Sequence, residues 1–63
     1  MFYVCVTVKD SVGTRYDVRV YQDFRKAVDA VQAASFGTTA ALYVAHSRTH
    51  GAFVVRYKDG VQQ

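Results

Sequence analysis

Two-residue alternation dominates the first third of the chain. Phe2, Val4, Val6 and Val8 alternate with Tyr3, Cys5, Thr7 and Lys9; after a polar break, Tyr16, Val18 and Val20 alternate with Arg15, Asp17, Arg19 and Tyr21. Strict alternation marks a strand with one face buried and one face free. It predicts strands over residues 2–9 and 14–21. The intervening Asp10-Ser11-Val12-Gly13 has the turn chemistry of an antiparallel hairpin. The more apolar set, Phe2, Val4, Val6, Val8, Tyr16, Val18 and Val20, is expected to face the core.

The period changes at Asp23. Phe24, Ala27, Val28, Val31 and Ala34 recur at intervals of three and four, one apolar stripe on a helix, while Arg25, Lys26, Asp29 and Gln32 fall on the far side. Asp23 is a good N-cap, because its carboxylate can accept from an otherwise unpaired helix N–H. Gly37 is placed to end the helix and Phe36 to fold back on it. The helix is therefore expected at about residues 23–35. A third strand follows over 40–46, with Leu42 and Val44 inward and Ala41, Tyr43 and Ala45 outward. His46 to Gly51 form a polar turn. A fourth strand spans 52–58, with Phe53, Val55 and Tyr57 inward and Val54, Arg56 and Lys58 outward. Asp59-Gly60 breaks it, and Val61-Gln62-Gln63 is expected to fray as a tail.

The elements define a single small α+β domain over residues 1–63, with the order ββαββ. A right-handed crossover through the helix gives a four-stranded antiparallel sheet of spatial order 2-1-3-4, with one helix packed on one face.

Composition narrows the functional classes. A chain of 63 residues buries only about 60% of the surface its unfolded form exposes. Such scaffolds need a staple: disulfides, a metal or association. The single cysteine, Cys5, excludes an intrachain disulfide and argues against a secreted disulfide framework. Val occurs 12 times and Ala 8 times, with no Ile, Asn, Glu, Trp or Pro, a bias that fits a GC-rich genome. The net charge of +3 allows an acidic partner without requiring nucleic acid. The apolar run Met1–Val8 is too short to span a bilayer and lacks the basic start and cleavage site of a signal peptide. A cytoplasmic location and no membrane partner are expected.

One helix cannot cover both faces of the sheet. The face expected to stay open carries Tyr3, Arg15, Arg19, Tyr21, Tyr43, Arg56 and Lys58, and these are the candidate partner-binding residues. Tyr and Arg combine large contact area with a polar tip and are enriched at interface hot spots. A protein that the domain regulates or inhibits is the favoured partner. Single-stranded nucleic acid is the alternative, with aromatic rings stacking on bases and cations meeting phosphates. A merely solvated face would have the same composition. Self-association through this face, or by an edge strand pairing across a two-fold axis, would give a homodimer.

Catalytic and metal chemistry find little purchase. His46 and His50 are spaced as a ligand pair, but in a turn and with no third ligand evident, so no metal site is expected. Cys5 has no base placed beside it. Asp10, Asp17, Asp23, Asp29 and Asp59 fall at turns, a cap and exposed positions, and Gly13, Gly37, Gly51 and Gly60 sit at turns rather than in a phosphate-cradling loop. Neither an enzyme nor a cofactor is expected.

The stretch FYVCVTV followed by RYDVRVYQDFRKAVDAV, an alternating hairpin running into an amphipathic helix, resembles the small early proteins with which bacteriophages bind and inhibit host proteins such as RNA polymerase. The resemblance covers about the first two thirds of the chain. It implies a compact, non-enzymatic binder of a host protein, acting in the host cytoplasm. The basic balance of this chain departs from the acidic functional surfaces that some of those proteins carry.

Overall fold

The computed structural model describes residues 1–9, 13–47 and 50–63. The β-branched and aromatic runs form strands β1 (Phe2–Lys9), β2 (Arg15–Tyr21), β3 (Thr39–Ala45) and β4 (Gly51–Lys58), and the Ala-rich run forms helix α1 (Phe24–Ala34). A fifth strand, β5 (Val61–Gln62), follows β4. The sheet is antiparallel in the order β2-β1-β3-β4-β5, so the expected 2-1-3-4 arrangement is present with one short strand added. The hairpin residues Asp10, Ser11 and Val12, and Arg48 and Thr49 of the expected polar turn, lie outside the described residues.

Helix α1 begins where its cap chemistry places it. The Asp23 carboxylate accepts from the Lys26 backbone N–H at 3.1 Å while Asp23 itself stays extended, an arrangement that stabilises a helix by about 1 kcal/mol. Ala27 and Val31 are buried, Val28 and Ala34 flank them, and Phe24 packs edge-to-face on Tyr3 with centroids 5.4 Å apart.

The helix covers the opposite face from the one the alternation predicts. The core beneath it consists of Cys5, Ala40 and Leu42, flanked by Tyr3, Tyr21, Val55 and Tyr57. Strand register decides this. Cys5 stands opposite Leu42 and Thr7 opposite Ala40, and directly opposed residues of an antiparallel pair project to the same side. Leu42 therefore cannot share a face with Val4 and Val6, which pair instead with Tyr43 and Ala41. Size complementarity explains the choice. An Ala-rich helix surface lies close to a sheet only where the sheet presents small side chains, and Cys5, Thr7 and Ala40 do so. The expected core residues Phe2, Val4, Val6, Val8, Tyr16, Val18, Val20 and Phe53 are thus displaced from the helix side.

The helix end and the β4–β5 turn are joined through Ser35, which is fully buried. Its hydroxyl donates to the Gln32 carbonyl at 2.7 Å and accepts from the Gly60 N–H at 2.8 Å, while its carbonyl accepts from the Asp59 N–H at 2.8 Å. The Asp59 carboxylate returns to accept from the Gly37 N–H at 2.9 Å. Asp59 and Gly60 both have positive φ, 51° and 79°, the requirement of a two-residue type I′ hairpin turn. This turn makes β5 out of residues expected to fray. Gly60 is doubly required, because a Cβ there would stand 2.4 Å from the Phe36 ring.

Two stability measurements follow. Leu42→Ala should cost about 2–5 kcal/mol in denaturant unfolding, whereas Val20→Thr, on the opposite face, should change stability by about 0.5 kcal/mol or less. Equal costs would restore the face assignment made from alternation. Ser35→Ala, which leaves the part-buried Gly60 N–H without its acceptor, should cost about 1–3 kcal/mol by the same assay.

Candidate binding surface

The uncovered face is built from the strongest strand formers of the chain. Val4, Val6 and Val8 of β1 alternate away from the helix, joined by Tyr16, Val18 and Val20 of β2 across the register Val4–Val20, Val6–Val18 and Val8–Tyr16. Tyr16, Val18 and Val20 are 67%, 57% and 59% exposed. On the other side of β1, Ala41 and Tyr43 of β3 extend the surface.

A bulge adds to it. Leu42 pairs with Val55 but Tyr43 pairs with Phe53, so Val54 is left over on β4. The extra residue rotates the strand and turns Phe53, expected inside, onto the open face. There it stands edge-on to Tyr43, with centroids 5.9 Å apart, while the Arg56 guanidinium lies 5.6 Å from the Phe53 ring centre. Arg56 and Lys58, opposite Ala41 and Thr39, set the cations of this face along its β4 side. The result is a Val and aromatic field with a cationic margin.

The predicted partner-binding residues divide between the two faces. Tyr43, Arg56 and Lys58 lie on the open face. Tyr3 and Tyr21 lie on the helix side, packed against the core. Arg15 and Arg19 belong to the same side as Tyr21, opposite Lys9 and Cys5. Arg19 shares Asp17 with Lys9, at N–O distances of 3.7 and 3.5 Å; these exposed pairs are worth little energetically. With Cys5, Thr7 and helix residues Ala30, Ala33 and Ala34, they line a groove of about 410 Å³ beside the helix. Apolar alternation alone assigns Val18, Val20, Tyr16 and Phe53 to the core, whereas the structure leaves them on the open face. The mismatch between a Val-lined face and a small, Ala-rich helix stripe is the clue that could have exposed them.

No family model, curated protein or solved structure matches this chain.

The groups with potential reactivity are dispersed. The His46 backbone N–H donates to the His50 carbonyl at 3.1 Å, and the Ser47 hydroxyl stands 3.3 Å from His50 Nδ1. Among the described residues, no three His, Cys, Asp or Glu side chains gather as a metal cluster. No helix among them is long and apolar enough to cross a membrane. Cys5 is buried under the helix. Burial pushes its thiol up from the ordinary value of 9.0; its hydrogen bond with Thr7 acts against that rise, and the nearby Asp17 charge adds to it.

The raised thiol has a definite pH signature. Its folded-state pKa exceeds the unfolded one, so its contribution is complete below pH 9.0 and is lost as pH rises through the folded value. Stability should fall as pH rises above 9.0 less steeply in Cys5→Ala than in the unaltered chain, measured by unfolding at stepped pH. Alkylation of native Cys5 by iodoacetamide at neutral pH should run at least about 100-fold slower than in denaturant.

Proposed function

We propose that this protein is a non-enzymatic binding domain that docks on another protein in the cytoplasm and blocks or regulates the surface it covers. The observation that carries this role is the open sheet face, where Tyr16, Val18, Val20 and Phe53 are each more than half exposed. A contiguous apolar surface with a charged margin marks an interaction site rather than an ordinary solvated face. Tyr43, Phe53 and Arg56 supply the residue types that concentrate binding energy at interfaces. The resemblance of the hairpin and helix to small phage inhibitors of host proteins points to the same class.

A protein is favoured over single-stranded nucleic acid by the distribution of charge. Phosphate tracking needs cations interleaved with the stacking rings. Here Arg56 and Lys58 are gathered on the β4 side of the open face while Arg15 and Arg19 sit on the helix side, which leaves the Tyr16, Val18 and Val20 half of that face without a cation.

A photo-crosslinking amino acid at Phe53, on the open face and away from the β2 edge, should capture one defined protein other than a second copy of this chain in cells, whereas the same group at Arg25 on the exposed face of the helix should not. Capture of the same species with equal yield from both positions, or from neither, would sink the docking role. A labelled single-stranded oligonucleotide should show no binding at low salt. Binding that weakens steeply as salt rises would shift the function to nucleic acid.

A further inference from the structure

We infer that β2 is a dimerisation strand, pairing antiparallel with β2 of a second copy across a two-fold axis centred on Val18. The inference concerns the sheet edge and goes beyond the docking of the open face. β2 is the terminal strand of the sheet, paired on one side with β1 through seven unbroken register positions and with no strand on the other among the described residues. Long edges are normally guarded by Pro, by a bulge or by charged side chains, Lys above all. β2, Arg-Tyr-Asp-Val-Arg-Val-Tyr, contains no Pro or Lys, its register with β1 has no bulge, and its charged residues, Arg15, Asp17 and Arg19, are of both signs, so they repel a strand of like charge but can be neutralised by a second copy of β2. The helix-side space above it is a groove rather than a packed layer, so a neighbouring strand can approach without meeting the helix.

The side chains select one register. Centring the axis on Val18 places Asp17 opposite the second copy's Arg19, and Arg19 opposite its Asp17, on the helix side. Arg15 then faces Tyr21. On the open side Val18 meets its own symmetry mate and Tyr16 meets Val20. Opposite charges, and aromatic with β-branched residues, are the favourable cross-strand pairs. Moving the axis to position 17 brings two Asp17 carboxylates together and sets Arg15 against Arg19. Moving it to position 19 opposes two arginines. Parallel pairing in register would oppose every like charge. A two-fold antiparallel pair on Val18 matches Asp17 with Arg19 twice, leaves the third charged residue, Arg15, opposite Tyr21 rather than a like charge, and keeps all seven positions of β2 paired, whereas an axis on Tyr16 would match Asp17 with Arg15 but pair only three positions of the strand; an isologous contact of this kind closes at two copies.

Sedimentation equilibrium of the purified chain should give twice the 7.1 kDa monomer mass. Asp17→Arg and Arg19→Asp should each weaken association by roughly tenfold or more, because like charges then oppose one another. Mixing these two variants should restore the dimer, since each supplies the charge the other lacks; the double exchange should dimerise alone. Val18→Cys, in an otherwise unaltered chain, should form an intermolecular disulfide on oxidation, and Val61→Cys on β5 should not. A monomer at millimolar concentration, single variants that still dimerise, a mixture that stays monomeric, or equal crosslinking from Val18 and Val61 would each overturn the edge pairing. A dimer lost on Phe53→Ser but insensitive to the charge variants would assign association to the open face instead.

Discussion

The register between β1 and β3 is the constraint on which the rest depends. Once Cys5 is opposite Leu42, alternation assigns every other side chain of the sheet to a face. Leu42 is the largest residue of the fully buried set and lies under α1, so the face with Cys5 and Thr7 becomes the interior. The valines of the hairpin then have no layer above them. A slip of one position would reverse the whole distribution. Small residues at Cys5, Thr7 and Ala40 prevent it, because they admit an Ala-lined helix that the bulkier valines would hold away.

A chain of this length has a small interior, and this one spends much of its apolar content outside it. Among the described residues the core under the helix holds two large side chains that are fully buried, Val31 and Leu42. Val18, Val20 and Phe53 instead stand more than half exposed on the uncovered face. Marginal stability in the free chain and a hydrophobic gain on association are therefore two aspects of one allocation of side chains.

Much of the fold was legible in the sequence, and the reason it was partly misread is physical. Helix α1 and its Asp23 cap follow from local chemistry, periodicity and capping, and the interior position of β1, between β2 and β3, follows from the hairpin and the crossover through the helix. Facing does not. Alternation says that two sides of a strand differ, but which side is covered depends on a partner element distant in sequence. Arg15, Arg19, Tyr3 and Tyr21 therefore lie on the helix side rather than on the open face that alternation predicts for them, whereas Tyr43, Arg56 and Lys58, on the strands that carry the buried Leu42 and the core-flanking Tyr57, lie on the open face as predicted. Phe53 escaped because a single extra residue, Val54, changes the parity of β4. β5 was legible in principle: Asp59-Gly60 is the preferred chemistry of a two-residue hairpin, and its reading as a stop overlooked Val61.

The Ser35 junction links two events that sequence distance would keep separate. The last turn of the helix and the β4–β5 turn share one buried hydroxyl and one carboxylate. Neither can open without stripping the other of its hydrogen bonds. The Gly37, Asp59 and Gly60 amides therefore belong to one opening unit rather than to two local ones, and β5, only two residues long, is tied to the helix end through the turn that precedes it.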